Sequence, residues 1–153
     1  INGNSYEMAN NMGGAYAQNG NYAEAEKYYL KSEELGGDVN YNMGIVDINN
    51  GNYASAVSRL SGYKCDFNLG LAQLLNKESA AAENTFNCVS PKDGETLYRM
   101  AVAGARQDDK AKTLDYLSKA IKEDASYKQA AAMDREFLKF YHEADFQALV
   151  GSK

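Results

Sequence analysis

The residues that could do chemistry are few, and the two cysteines come first. Cys65 and Cys88 are the only cysteines; they fall at the start of one predicted helix and near the end of the next. Antiparallel pairing of those helices would allow a disulfide if the Cα atoms lie within about 7 Å, and a bond would indicate an oxidising compartment such as a periplasm. We favour two buried or free thiols. A metal site is not expected, because no second ligand pair has a suitable spacing.

Catalytic groups are not clustered in the sequence. His142 is the only histidine and lies among aromatic residues, where a structural role is expected. Glu33-Glu34 and Asp108-Asp109 fall at predicted helix ends as solvated charges, not as an acid/base pair held in a cleft. No P-loop, G-x-G-x-x-G, H-E-x-x-H or G-x-S-x-G motif occurs. The sequence therefore predicts a protein with no enzymatic activity, no cofactor and no metal.

Composition narrows the class further. The chain has 153 residues, 44% of them hydrophobic, with a single proline and a net charge of −5. This is enough for one domain with a sizeable core and nearly uninterrupted helix. Scattered Lys and Arg argue against nucleic acid, which needs a clustered basic surface. No apolar run approaches the roughly 20 residues of a membrane span. Because the chain starts at Ile1 without a signal peptide, we expect a fragment of a longer protein.

Two segments of similar sequence organise the chain. Residues 12–25 read MGGAYAQNGNYAEA, and residues 43–56, at an offset of 31, read MGIVDINNGNYASA. A fixed period in this range indicates a repeat array. Each copy has apolar residues at helical spacing, an Asn-Gly turn and a second helical stretch, which predicts a helical hairpin. Their glycines and alanines would let the two helices approach closely. These small residues are Gly13, Ala25, Gly44 and Ala56.

The same pattern continues along the chain with breakers between its segments. It predicts helices at about 6–18, 22–35, 40–50, 53–60, 65–76, 79–89, 94–107 and 110–123, followed by a short helix from 126 to 133.

The pattern resembles the tetratricopeptide repeat, whose signature is W-x2-L-G-x2-Y followed by a small residue and an aromatic in the second helix. Ala9, Met12, Gly13 and Tyr16 fit the first part of that frame, with Ala9 in place of Trp. The later units match at fewer positions: Met43, Gly44, Tyr53, Ala56 and Leu60, then Leu69, Gly70, Ala82 and Phe86, then Met100, Ala101, Leu117 and Ala120.

The resemblance implies an all-α fold, a right-handed α-solenoid of antiparallel helix pairs. Residues 1–5 would be a disordered or truncated lead-in, residues 6–124 four hairpins, and residues 125–153 C-terminal capping helices. The capping role rests on the bulky apolar residues of 134–150, because an open array leaves its last hydrophobic face exposed. A docking face for a partner is the alternative for those residues.

The resemblance also implies a binding surface, because the first helix of each unit lines the family's concave face. Asn11, Asn42 and Asn68 share one position, where the family often uses Asn to bond a ligand's backbone; simple solvation is the alternative. Among the other groove positions carried over are Tyr41, Phe67, Leu71, Leu75, Tyr98, Arg99 and Arg106. The groove is polar, then apolar, then basic. This suits a peptide with an apolar anchor and an acidic group.

The expected function is thus a scaffold that binds a protein or peptide of unknown identity. One alternative is a structural spacer between domains of an envelope protein. Another is a small-molecule or glycan-binding component in which tyrosines stack on the ligand. Joint exposure of Tyr41, Phe67 and Tyr98 would favour binding, and their burial between helices would favour the spacer. The Asn- and Tyr-rich units also resemble large repeat proteins of Gram-negative envelopes, which implies an envelope-associated or periplasmic location.

Overall fold

The structure is a computed structural model that describes residues 5–151, and these residues are almost entirely helical. About 76% of the chain is helix, and no strand occurs among the described residues. The all-α prediction is therefore confirmed, and the ends of the eight predicted repeat helices are correct to within two residues. The helices are α1 Tyr6–Gln18, α2 Tyr22–Glu34, α3 Asn40–Asn50, α4 Tyr53–Leu60, α5 Phe67–Leu75, α6 Ser79–Cys88, α7 Gly94–Arg106, α8 Lys110–Glu123, α9 Ser126–Met133, a 3-10 helix Arg135–Phe140 and α10 Ala144–Val150.

Side-chain caps fix where several helices begin. Asn21 is the N-cap of α2, and its Oδ1 accepts a bond from the Glu24 backbone N–H at 3.2 Å. Asp93 caps α7 in the same way, and its bond from the Thr96 backbone N–H lowers the pKa of its carboxyl group. Of the predicted lead-in 1–5, residues 1–4 lie outside the described residues. Ser5 accepts a bond from the first turn of α1 and is its N-cap.

The chain divides into two compact units, with the boundary between Lys64 and Cys65. The first unit contains α1 to α4, and the second contains α5 to α10. In both units the helices pack in consecutive pairs, α1 with α2 and α3 with α4, then α5 with α6 and α7 with α8.

Each pair crosses at a small residue of its first helix. In three pairs this residue is a glycine whose missing Cβ would lie 2.5–2.6 Å from a side chain 16 residues later, so no other residue fits without rearrangement. The fourth pair has Ala101 and Leu117 at the same spacing, both fully buried. The glycine contacts are Gly13 with Tyr29, Gly44 with Leu60, and Gly70 with Phe86.

The turn inside each hairpin is also the same. The residue seven positions after the crossing residue has a positive φ, and the next residue donates a backbone bond to a carbonyl five residues earlier, as in a Schellman ending. The first two turns use glycine, as the Asn-Gly pairs predict. The third and fourth use Lys77 at φ 66° and Asp108 at φ 59°. The turn geometry is thus kept where the sequence signal for it is lost.

Replacing Lys77 by Gly should raise the free energy of unfolding by about 1 kcal/mol, because the left-handed conformation costs a non-glycine residue roughly 1–2 kcal/mol. Chemical denaturation measures the change. Lys77→Ala is the matched control; it removes the side chain but keeps the Cβ, and it should leave stability nearly unchanged. If the Gly variant is no more stable than the Ala variant, the left-handed conformation assigned to residue 77 is contradicted.

The C-terminal segment packs onto the last hairpin. Phe137 and Phe146 are fully buried in one cluster with Met100 of α7 and Leu117 of α8. The bulky apolar residues of 134–150 thus extend the core of the second unit. Leu138 is the exception, with 61% of its surface exposed.

The two cysteines are joined in a disulfide, with their Cα atoms 5.2 Å apart. The favoured interpretation, two buried or free thiols, is therefore wrong for this structure. Both residues are exposed, and the pairing of α5 with α6 brings the segment before α5 next to the end of α6. Among the described residues, no helix combines the length and apolar character that crossing a membrane requires.

Candidate binding surface

The predicted binding positions of the first unit lie on α1 and α3. Asn11 is exposed. Asn42 is partly buried, and its Nδ2 donates to Asn10 Oδ1 at 3.0 Å, so this carboxamide bridges two helices. Tyr41 is partly exposed and meets the ring of Tyr63 edge-on, with centroids 4.9 Å apart. Asn42 and Tyr41 thus already have partners within their own unit.

In the second unit, α5 carries an apolar stripe that remains partly exposed. Phe67, Leu71 and Leu75 follow one another at intervals of four residues, so they share one face of the helix. Asn68 lies beside Phe67 on the same turn. The opposite side of α5 is buried, with Leu69, Ala72 and Leu74 at 5% exposure or less. We call the partly exposed set, Phe67, Asn68, Leu71 and Leu75, the α5 surface.

Tyr98 does not belong to an open surface. It is 7% exposed, stacks on Tyr127 at 5.0 Å and meets Phe137 edge-on at 5.7 Å. Its hydroxyl donates to Asp134 Oδ2 at 2.8 Å, and burial with this bond raises the pKa of Tyr98. The predicted groove position is therefore corrected: the segment after α8 covers it.

Arg106 was predicted to meet an acidic group of a partner, but the chain supplies that group itself. Its Nε and Nη2 donate to the two carboxylate oxygens of Glu136 at 2.9 and 2.5 Å, and Nη1 donates to the carbonyl of Leu74. This bidentate pair is a strong form of ion pair. It holds the 3-10 helix against α7, so its role in the structure is to fasten the C-terminal segment.

The Arg106–Glu136 pair should make stability depend on acid pH. The hydrogen bond from Arg106 lowers the pKa of Glu136 below its ordinary value of 4.5. A lowered pKa means that the folded state holds the proton more weakly, so the contribution is full above about pH 4.5 and is lost as pH falls through the folded pKa. Urea denaturation between pH 7 and pH 3 should show a shallower decline for Glu136→Gln than for the parent. Parallel curves would contradict the pair's role.

Arg99 is more available. Its Nη2 pairs with Glu95 at 3.2 Å across one turn of α7, while more than a third of its side chain is exposed. Its Nε is buried, without a hydrogen-bond partner within residues 5–151. Of the two predicted groove arginines, Arg99 has the more exposed side chain, 37% against 28% for Arg106.

Two buried carboxylates, those of Asp47 and Glu83, were not predicted from the sequence. Asp47 is 5% exposed, accepts a bond from Ser55 Oγ at 2.6 Å and pairs with Arg59 at 3.4 Å. Glu83 is 6% exposed and pairs with Lys112 at 2.8 Å. The sequence did contain a sign of the Asp47 site, because Asp47 occupies the repeat position at which the preceding unit has a tyrosine. Both sites join helices of one unit and consist of paired charges, which suits a structural role.

The residues considered for catalysis or metal binding are not assembled into a site. His142 is exposed. Within the part of the chain that the structure describes, no three His, Cys, Asp or Glu side chains are placed to hold one metal ion.

Comparison with known families adds no assignment. No protein-family model matches the chain, and no similar sequence is found among curated proteins.

The three aromatic residues whose joint exposure would favour binding differ in their exposure. Tyr41 and Phe67 are partly exposed, whereas Tyr98 is buried. The three are therefore not exposed together. At α7, Tyr98 and Arg106 are therefore not available to a ligand. The main apolar part of the predicted binding surface is the α5 surface.

Proposed function

We propose that the protein is a non-enzymatic helical-repeat scaffold of tetratricopeptide type, a right-handed array of hairpins that binds a protein or peptide. Four helix pairs with the same 16-residue crossing distance and the same left-handed turn support a repeat origin. Such hairpins bury one face against each other and leave the first helix of each pair to meet ligands.

The observation that carries the binding role is the α5 surface. Three large apolar side chains remain partly exposed on consecutive turns of one helix, beside the carboxamide of Asn68. A buried apolar anchor from a peptide would fit such a stripe, and a carboxamide can both donate to and accept from the peptide backbone. The acidic group expected in the ligand is not needed at Arg106, because Glu136 already pairs with it.

A peptide-display selection tests this role without a known partner. Random peptides selected on the parent protein should lose at least about tenfold in affinity for Leu71→Asp, because an anchor residue contributes 1.4 kcal/mol or more. Leu30→Asp is the matched control, since Leu30 is an equally apolar residue, 40% exposed on α2. Failure to select any peptide, or peptides that bind both variants equally, would contradict the proposed surface.

The spacer function is the second candidate, and two observations favour it. Tyr98 is buried and Arg106 is paired within the chain, so the α7 end of the predicted groove stabilises the fold instead of meeting a ligand. A scaffold whose α5 surface selects no peptide would be assigned to this function.

We further propose that the protein works in an oxidising compartment, such as a periplasm. The support is the exposed Cys65–Cys88 disulfide, since reducing compartments keep exposed thiols unpaired.

A further inference from the structure

One face of α1 is unusually apolar for a surface. Met8 is 42% exposed and Met12 is 39% exposed, and Ala15 continues the same face one turn later. Asn19, the C-cap residue of α1, lies at the end of this face and is exposed. We call these four residues the α1 face.

The equivalent positions in the second and fourth hairpins are buried; in the third they are Leu69 and Ala72, which are buried, and Cys65, which is exposed. Adding the repeat offset of 31 residues to Met8, Met12 and Ala15 gives the N-cap residue of α3 and two residues of the helix itself in the first unit. The matching residues of α7 lie in the second unit. All six are 2% exposed or less. They are Val39, Met43 and Val46 at α3, and Thr96, Met100 and Ala103 in α7.

In both places the cover is the second helix of the preceding hairpin. Ala25 and Tyr29 of α2 share a core cluster with Val39, Met43 and Val46. In the second unit Ala82 and Phe86 of α6 are in one cluster with Met100 and Ala103. The covering helix thus contributes a small residue and, four residues later, an aromatic ring.

A glutamate completes both interfaces. Glu26 follows Ala25 and accepts from Asn50 Nδ2 at 3.3 Å. Glu83 follows Ala82 and accepts from Gln107 Nε2 at 2.9 Å. Both covering helices therefore read Ala-Glu-x-x-aromatic, and both meet an amide side chain six residues after the crossing residue.

Asn19 occupies that amide position in α1, six residues after Gly13. Like Gln107, it donates its side-chain N–H to the carbonyl four residues earlier, at 3.0 Å. The α1 face thus repeats both halves of an interface that α3 and α7 make, the apolar stripe and the amide.

We propose that the α1 face is a docking surface for the second helix of a further hairpin that precedes α1 and reads Ala-Glu-x-x-Tyr or Ala-Glu-x-x-Phe. Its alanine and aromatic ring cover Met8, Met12 and Ala15, and its glutamate accepts from Asn19. A second copy of the chain is a poor occupant, because α2 and α6, which carry this motif, are already docked on α3 and α7. The inference does not depend on the α5 surface.

An extended chain tests the proposal. A second copy of residues 6–36 is inserted between Ser5 and Tyr6, which places an α2 sequence one repeat before α1. Tyr6 of the original hairpin is changed to Gly, the residue at the equivalent position 37. A Cβ at Gly37 would lie only 2.5 Å from Ser32 Oγ, so this position has no room for a side chain. Met8 and Met12 of the added copy are changed to Leu, so that peroxide oxidation reports only on the original methionines.

In the parent, Met8 and Met12 should oxidise readily, and Met43 slowly. In the extended chain their rates should fall by about tenfold or more, toward that of Met43, as solvent access is lost. Met12→Glu on the original hairpin is the control: Met12 is exposed, so the parent should tolerate the change, whereas the extended chain should leave Met8 reactive.

Two results would overturn the proposal. One is unchanged oxidation of Met8 and Met12 in the extended chain, whether the added hairpin is helical or unfolded by circular dichroism, since docking should both fold and shield it. The other is concentration-dependent association of the parent that shields Met8 and Met12, because this would assign the face to a second copy. Neither result bears on peptide binding by the α5 surface.

Discussion

Replacing Phe86 by Ala should lower the free energy of unfolding by about 3–5 kcal/mol, the usual cost of truncating a buried aromatic side chain. Phe86 is fully buried, fills the space beside Gly70 and meets the ring of Phe67 at 5.7 Å. Its loss leaves a cavity at the crossing of α5 and α6. Urea denaturation followed by circular dichroism measures the change.

Leu138→Ala is the matched control for this prediction. Leu138 is a large apolar residue of the same unit, 61% exposed, and its truncation should change stability by less than about 0.5 kcal/mol. Equal losses for the two variants would show that Phe86 is not the centre of a packed crossing.

Removing the disulfide should be nearly as costly. Cys65 and Cys88 are 23 residues apart, and closing a loop of this length restricts the unfolded chain by about 3 kcal/mol. The Cys65→Ser, Cys88→Ser double variant should therefore unfold at lower denaturant than the parent. Adding a reductant should bring the parent to the stability of the double variant.

The double variant is its own control for side effects of the reductant, which should not change its unfolding curve. A parent that is insensitive to reductant, and that matches the double variant, would contradict a structural bond between α5 and α6.

The hairpins could be predicted from sequence because their determinants are local. Gly20 and Gly51 take the left-handed turn conformation at little cost, and helical spacing of apolar residues marks the flanking helices. Lys77 and Asp108 make the same turn without this signal. They could have been found only by counting seven residues from Gly70 and Ala101, because the constraint there comes from packing of the pair and not from the turn residue.

The binding positions were predicted less well because repeat equivalence says nothing about what lies over a position. Tyr98 matches Tyr41 within the repeat, yet Tyr127 and Phe137 cover it. These two rings come from the segment after α8, which follows no repeat pattern. The prediction for Arg106 failed for the same reason, because its ion-pair partner Glu136 also lies in the segment after α8.

The disulfide shows a third limit. Spacing placed Cys65 and Cys88 at adjacent helix ends, but whether two thiols bond depends on distance and direction at a scale that spacing cannot give. The α1 face was missed for the opposite reason. Met8 and Met12 have the right types for a helix interface, and the proposed docking surface rests on the burial of the equivalent positions at α3 and α7.

The central claim is that each hairpin is built on contact between a small residue and the side chain 16 residues later. A double-mutant cycle at Gly70 and Phe86 tests it most directly, because a Cβ at Gly70 would meet Phe86 ring atoms at 2.5–2.9 Å that an alanine lacks. Gly70→Ala should be clearly destabilising in the parent and much less so in Phe86→Ala, with a coupling of about 1 kcal/mol or more. Additive effects, within about 0.5 kcal/mol, would contradict the crossing.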